Sequence, residues 1–337
     1  NPKTKLMAMV KAGSYGSGTL EVARWLQSLH VDYLGVAFAQ EALSLRAQGI
    51  SMPILVLNVD ALQMPMLAAA GTEVELFSRH QLDHWLSVKR NEVLKVHLKI
   101  NSGMNRLGFA PEAVSNLLKE LVNYSSVEIV GVFSHLAAAD NSSKDTFTKQ
   151  QLEVFEKVSA QVKAQFPAAV SHVLNTHGIH RFSDAQNDMV RLGIGLYGAG
   201  TYKGIEPLEE VISWKCKVSQ VSTLEKGDFV GYGLAFKAEK TMKYATLPVG
   251  YADGLSRALS AGKGRVFING ESCSILGRVC MDMCMVDVTA LKVQAGDEVE
   301  ILGSNQNSTE LAAAAGTISY EVLTGIGPRI PRLYLKD

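Results

Sequence analysis

Lys11 closes the apolar run Met7-Ala8-Met9-Val10, where a lysine either snorkels to water or works as a nucleophile. Desolvation would strip its charge and leave an amine able to attack an aldehyde. Taken alone, snorkelling is the commoner case. The stretch Ala12-Gly13-Ser14-Tyr15-Gly16 is turn-rich and brings a tyrosine hydroxyl one short loop away. Other polar residues also end apolar runs: Lys99 with Asn101, Ser134-His135, Asn175-Thr176, and Arg191. In Arg191-Leu192-Gly193-Ile194-Gly195 the backbone could approach an anion without Cβ interference, and Thr176 supplies a hydroxyl. A phosphate seat is one expectation there, a tight connecting turn the other. Lys99 and Arg106 bring two cations to the end of one run, and arginine suits a bidentate grip on a carboxylate. His135, His172, His177 and His180 lack the spacing of a helical metal-ligand pair, so most of them read as polar rim or surface groups, with no metal. Tyr251 in Pro248-Val249-Gly250-Tyr251-Ala252-Asp253-Gly254, and the run Leu276 to Met283 with Met281, fall in turns where packing explains them as well as function does.

Residues of this kind converge only if the runs that carry them share one sheet. Eight short apolar runs are present: Leu6 to Val10, Tyr33 to Phe38, Pro53 to Leu57, Val74 to Phe77, Leu94 to Ile100, Val127 to Phe133, Val170 to Leu174 and Met189 to Leu192. Helical spacing follows in segments such as Thr19 to Leu29, Ala42 to Gln48, Pro111 to Val122 and Lys149 to Ala164. This βα repetition predicts a closed (β/α)8 TIM barrel, whose site lies at the carboxyl ends of the strands. The last unit runs into a glycine-rich turn rather than a long helix. After about Pro207 the texture becomes β-branched and alternating, as in Trp214 to Thr223, Tyr244 to Pro248, Arg265 to Asn269 and Met283 to Val288. Turn pairs such as Lys226-Gly227, Asn269-Gly270 and Ala295-Gly296 separate these stretches, and one helical pattern, Ser308 to Ala315, lies late among them. The expected organisation is a barrel over residues 1–206 and a mostly β domain over 207–337.

Bulk properties narrow the class. Lys+Arg and Asp+Glu are 33 each, which argues against a large nucleic-acid or anionic-membrane surface. Cys216, Cys273, Cys280 and Cys284 form no CxxC pair, so a reduced, cytoplasmic protein is expected. No apolar run approaches a membrane span, and residues 1–5 have no signal-peptide layout.

Taken together, these segments resemble the alanine racemase family over nearly the whole chain, in the family's order. Val10 to Gly16 is similar to its cofactor-lysine segment, His97 to Gly108 to its strand-five segment, and Arg191 to Gly198 to its phosphate segment. Pro248 to Gly254 and Gly277 to Asp282 resemble its β-domain signatures, and Tyr320-Glu321-Val322-Leu323 its closing motif. The resemblance implies a pyridoxal 5'-phosphate enzyme that interconverts L- and D-alanine as a head-to-tail homodimer, supplying D-alanine for peptidoglycan. It implies that Lys11 forms the internal aldimine and is the base on one face of Cα, with Tyr251 from the other subunit on the opposite face. Tyr15, Thr176, Gly193 and Ile194 match phosphate contacts, and Arg191 matches the arginine at the pyridine nitrogen. His135 matches a histidine between tyrosine base and arginine, and Asn175 is counted with it among the cofactor-binding residues. Arg106 matches a residue near the substrate carboxylate, oriented by a lysine, here Lys99, that is often carbamylated. Met281 matches a partner-subunit residue whose backbone N–H meets the carboxylate.

The chemistry suits these roles. The cofactor acidifies Cα–H, so the protein supplies two bases on opposite faces and steers the outcome. An arginine at the pyridine nitrogen keeps its proton and weakens the electron sink, which limits side reactions. Three departures from the family pattern stand out. Gly13, Ser14 and Ser17 replace the usual Asn, Ala and His, which is expected to alter the loop more than the chemistry. Pro328 stands where some members have a pocket tyrosine, which leaves a racemase of broader or different specificity, for serine or another amino acid, as the alternative. Finally, the family usually has a few tens more residues before the lysine, so the sequence reads as a trimmed piece or part of a longer fusion. A cofactor-binding protein without activity has no need of Tyr251, and decarboxylases of this plan carry an acid at the pyridine nitrogen rather than an arginine.

Overall fold

The computed structural model describes residues 2–200, 202, 204, 206 and 208–335. They form two compact units, one of residues 1–14 with 19–196, the other of 15–18 with 197–337. The expected boundary at 206/207 falls where 205 and 207 lie outside the described residues.

In the first unit β1 (Lys5–Met9), β2 (Tyr33–Val36), β3 (Ile54–Val56), β4 (Glu73–Leu76), β5 (Leu94–Lys99), β6 (Val127–Phe133), β7 (Val170–His172) and β8 (Met189–Leu192) close into a barrel. All pairings are parallel, β8 returning to β1 through Lys5 opposite Met189 to Ala8 opposite Leu192. Helices over Thr19–Ser28, Ala39–Ala47, Val114–Leu121 and Asp145–Gln165 return the chain between strands. The (β/α)8 expectation therefore holds. The turn after β8 is a 3₁₀ segment, Ile194–Tyr197, rather than a long helix, as its glycines suggested.

Period-two alternation divides each strand between two environments. Leu34, Val36, Ile54, Val56, Val74, Leu76, Val96 and Leu98 belong to the large apolar cluster beneath the helices. The alternate positions, Met7, Met9, Tyr33, Glu73, Glu75, His97, Lys99, Phe133 and Arg191, stand outside that cluster, and by alternation they line the barrel's interior. Two glycines make room for them. A Cβ on Gly35 would meet Met9 Sδ at 2.6 Å, and one on Gly131 would meet His97 Nδ1 at 2.1 Å. A register shift between Val96 and His97 in the β5/β6 pairing sets Gly131 opposite His97.

The second unit holds a seven-stranded antiparallel sheet. Its strands are β9 (Trp214–Lys217), β10 (Gln220–Leu224), β13 (Met242–Leu247), β14 (Arg265–Ile268), β15 (Glu271–Leu276), β16 (Cys284–Asp287) and β17 (Glu298–Leu302), and β11 (Phe229–Val230) pairs β12 (Phe236–Lys237) separately. Asn269 and Gly270, both at positive φ, make the turn that joins β14 to β15. Trp214 to Thr223, which reads as one strand, is two, because β9 pairs β17 while β10 pairs β13. Ser308–Ala315 is a helix with an Asn307/Glu310 capping box, and a second helix, Ser319–Gly325, follows it. No helix among the described residues is long and apolar enough to cross a membrane.

Candidate active site

Lys11 leaves β1 in a left-handed turn. Ala12 (φ 53°), Gly13 (φ 68°) and Ser14 (φ 51°) are all at positive φ, and so is Tyr15 (φ 53°). Each non-glycine residue costs about 1–2 kcal/mol in that conformation, a strain that concentrates at functional positions. Glu41 offsets it. One carboxylate oxygen accepts from Ala12 N at 2.6 Å, while the other accepts from Ala37 N and Phe38 N at 2.7 and 3.0 Å. Gly13, where family members commonly carry Asn, is the residue for which this conformation is easiest. Burial lowers the Lys11 amine below its ordinary value; Arg106 and Arg191 push the same way, and Glu41 and Glu75 oppose them.

Arg191 is 4% exposed and its charge is held by neutral acceptors. Nη1 donates to His172 Nδ1 (2.7 Å) and His172 O (3.1 Å); Nη2 donates to Ser134 O (2.7 Å), Val173 O (3.1 Å) and His135 Nδ1 (3.2 Å). Nε has no hydrogen-bond partner among the described residues. Burial brings the guanidinium down to about 10, against Glu75 and with Arg106, so it remains a cation at neutral pH. Burial first, and then the surrounding cations, push His135 and His172 well below their usual value, so both are neutral acceptors for Arg191. His172 is fully buried, which corrects the rim-or-surface reading; the residue lies on the inner face of β7, stacked on Phe133 at 4.8 Å.

Thr176 opens the short helix after β7, and its Oγ1 accepts from Gly193 N (3.0 Å) and, more weakly, Gly195 N (3.5 Å). Two amides thus converge on one oxygen position, beside the buried Ile194, an arrangement that an anion's oxygen could enter. Asn175 caps the same helix, its Oδ1 accepting from Gly178 N at 2.9 Å, so that oxygen is committed to structure.

Lys99, 7% exposed, has Nζ 3.9 Å from Glu75 Oε1 and 4.2 Å from the Phe133 ring centre. Burial pulls its amine down to about 7 despite Glu75, helped by Arg191 and Arg106. Arg106 is exposed in a loop folded back on β5, where Asn101 Oδ1 accepts from Gly103 N and Asn105 N at 3.2 and 3.0 Å. Lys11, Lys99, Arg106 and Arg191 with one buried carboxylate, Glu75, make a cationic mouth suited to a phosphate and a carboxylate. Among the described residues no group of His, Cys, Asp or Glu could hold a metal ion.

These residues fit pyridoxal phosphate. There is an amine of lowered basicity, a hydroxyl-and-amide seat, and a buried cation with one donor to spare. Sequence reading missed Glu41, Glu73 and Glu75 and the role of His97. The alternation Glu73-Val74-Glu75 inside an apolar run was the available signal for two of them.

The second unit carries its own constellation. Tyr251 N donates to Cys280 O and Ala252 N to Met281 O, both at 3.0 Å, tying the two turns together. Gly250 is required there, since a Cβ would lie 2.3 Å from Cys280 O and Met281 O. Arg329, another residue not foreseen, clamps them by binding Asp253 Oδ1 (2.6 Å) and Asp282 Oδ1 (2.7 Å). The Tyr251 and Met281 side chains stay 43% and 54% exposed. Tyr15 stacks on Tyr197 at 4.7 Å and lies 6.0 Å from Tyr320; burial pushes its phenol up, so it stays a proton donor. Pro328 is exposed.

Comparison with known proteins shows the family. Residues 1–201 match the model of the alanine racemase N-terminal domain and 211–334 that of its C-terminal domain. An alanine racemase of Symbiobacterium thermophilum is 39% identical, with 98% of this chain and 90% of that protein covered. The crystal structure of alanine racemase from Bacillus anthracis with bound L-Ala-P superposes with a TM-score of 0.92 at 30% identity, covering 100% of this chain and 90% of that one. That of Bartonella henselae alanine racemase, with covalently bound pyridoxal phosphate, gives 0.89 at 33% identity, covering 98% and 93%. The chain belongs to the alanine racemase family, whose activity is pyridoxal-phosphate-dependent racemisation.

Proposed function

We propose that this chain interconverts L- and D-alanine with pyridoxal phosphate held by the barrel, Lys11 and Tyr251 being the two proton-transfer groups. The observation that carries the reading is Arg191, a buried cation held by neutral acceptors at the ends of β6 and β7, with Nε left over. Bound there, pyridoxal phosphate supplies an electron sink that acidifies Cα–H of the amino acid. Arg191 would donate through Nε to the ring nitrogen and keep its own proton, which moderates that sink. Thr176 Oγ1 and the amides of Gly193 and Ile194, with Tyr15, would hold the phosphate, and Asn175 and His135 would support the ring's surroundings. Lys11 would hold the cofactor covalently and then carry the Cα proton at Nζ on one face. Arg106 would take the substrate carboxylate.

Tyr251 and the Met281 amide would act from a second copy, the phenol on the opposite face of Cα. Their exposure on tied turns supports this, and residues 207–337 would so complete the partner's site in a homodimer. The setting would be the cytoplasm, with Cys216, Cys273, Cys280 and Cys284 unpaired and D-alanine passing to peptidoglycan. The test is to add L-alanine to cofactor-loaded enzyme and follow D-alanine. Absence of turnover at full cofactor occupancy refutes the proposal, and comparison with serine and basic amino acids decides substrate breadth.

A further inference from the structure

Arg191 is the last member of a hydrogen-bonded series that crosses the barrel's interior. Arg191 Nη1 lies 2.7 Å from His172 Nδ1, His172 Nε2 lies 2.9 Å from His97 Nδ1, and His97 Nε2 lies 2.7 Å from Glu73 Oε2. The four residues come from β8, β7, β5 and β4, and both imidazoles are 0% exposed. A guanidinium only donates, so His172 Nδ1 is bare. A neutral His172 then carries its proton at Nε2 and gives it to His97 Nδ1. His97 must in turn hold its proton at Nε2, which requires an acceptor at the far end. Reversing His97 would set its Nδ1–H against the Nε2–H of His172, or force the His172 proton onto Nδ1 against Arg191. Only one set of tautomers satisfies every atom.

We infer that Glu73 is a positioning residue for the racemase site: its carboxylate is the terminal acceptor that lets His97 and His172 keep the tautomers Arg191 requires, and so supports the orientation of Arg191. The site is built for this. Gly131 is the residue that leaves room for the His97 ring, and the ring sits edge-on to Tyr33, Phe133 and His172 at 6.1, 6.4 and 5.1 Å. The Tyr33 phenol and the Arg46 guanidinium both feel the Glu73 carboxylate electrostatically, so the carboxylate faces a phenol and a cation besides His97. Glu73 is the first residue of β4, at the strand end away from the carboxyl-end site, so it acts through the histidines. Its effect is to complete the polarity that Arg191 sets and to place a carboxylate at the opposite end of the series, which strengthens each bond between. Were the series broken, Nη1 would lose its 2.7 Å bond to His172 Nδ1 and the guanidinium would rest on its remaining acceptors, a looser hold on the direction of Nε.

The inference rests on the proposed role of Arg191 for its functional consequence, but its first readout needs no turnover, so the two can fail separately. In cofactor-loaded protein labelled with 15N in histidine, and assigned by single substitutions, His97 and His172 are expected as neutral rings protonated at Nε2. In Glu73→Met, which keeps the bulk and removes the acceptor, the tautomer of one or both rings changes and kcat falls on the order of ten- to a hundredfold with KM much less affected. Glu73→Gln retains an acceptor oxygen and restores both signature and turnover. A wild-type spectrum with His172 protonated at Nδ1, or a Glu73→Met spectrum with both rings unchanged, overturns the inference. Should Glu73→Met fail to fold, Glu73→Ala is read by the same spectrum and kinetics, with both rings and kcat unchanged overturning the inference.

Discussion

Replacing Gly131 by alanine adds one methyl group to β6, at a backbone conformation that alanine accepts. The new Cβ would lie 2.1 Å from His97 Nδ1, 2.5 Å from Cε1 and 2.8 Å from Cγ, so the ring must retreat by about 1.3 Å to reach an ordinary 3.4 Å contact. That retreat breaks the 2.9 Å bond to His172 Nε2, between two rings that are 0% exposed. Overpacking costs about 1–3 kcal/mol. A buried donor left unpaired costs about 1–3 kcal/mol more. Their sum of about 4 kcal/mol corresponds to a fall of about 10 °C in Tm for a unit of this size. Thermal unfolding followed by circular dichroism measures it. His97→Ala removes the obstacle, so Gly131→Ala made in that background should be nearly neutral, a coupling of about 3 kcal/mol or more in the double-mutant cycle. If Gly131→Ala costs the same in both backgrounds, the clash is not the cause and the reasoning fails. Turnover should fall along with stability, because His172 and Arg191 lose their anchor.

Lys11→Ala should abolish the yellow absorbance of the lysine-bound cofactor and the borohydride-reducible protein adduct; a surviving adduct would reassign the lysine. Tyr251→Phe should still bind cofactor while turnover drops strongly and unequally in the two directions, so equal, mild losses measured from each alanine enantiomer would count against two bases. Lys99 gives a pH signature: its folded value near 7 lies below the ordinary 10.5, so unfolding takes up a proton between these values. Wild-type stability should therefore rise relative to Lys99→Met as pH climbs from about 7 to about 10.5, on the order of a few kcal/mol. A flat difference in Tm over that range would contradict it. Gly250→Ala should displace the Tyr251 turn, since its Cβ meets two carbonyls at 2.3 Å, and should lower turnover by at least an order of magnitude; wild-type rates would show that the turn tolerates the methyl.

The sequence by itself determined the barrel, because eight apolar runs with helical segments between them leave few other ways to bury that surface. It also exposed Lys11, Thr176, Arg191 and the glycine turn, whose types are unusual where an apolar run ends. Other features depended on partners distant in sequence. Both faces of a parallel barrel strand are buried, so alternation does not say which face looks inward, and His172 read as a rim group until His97 and Arg191 were found against it. Gly131 is unremarkable in its run; the register shift opposite His97 gives it its purpose. Likewise Trp214 to Thr223 split because β9 and β10 bond to strands far apart in the chain, a choice made by pairing and not by local propensity. Periodicity reports which residues avoid water, whereas the direction of a hydrogen bond depends on the one atom facing it, and only the folded chain supplies that atom.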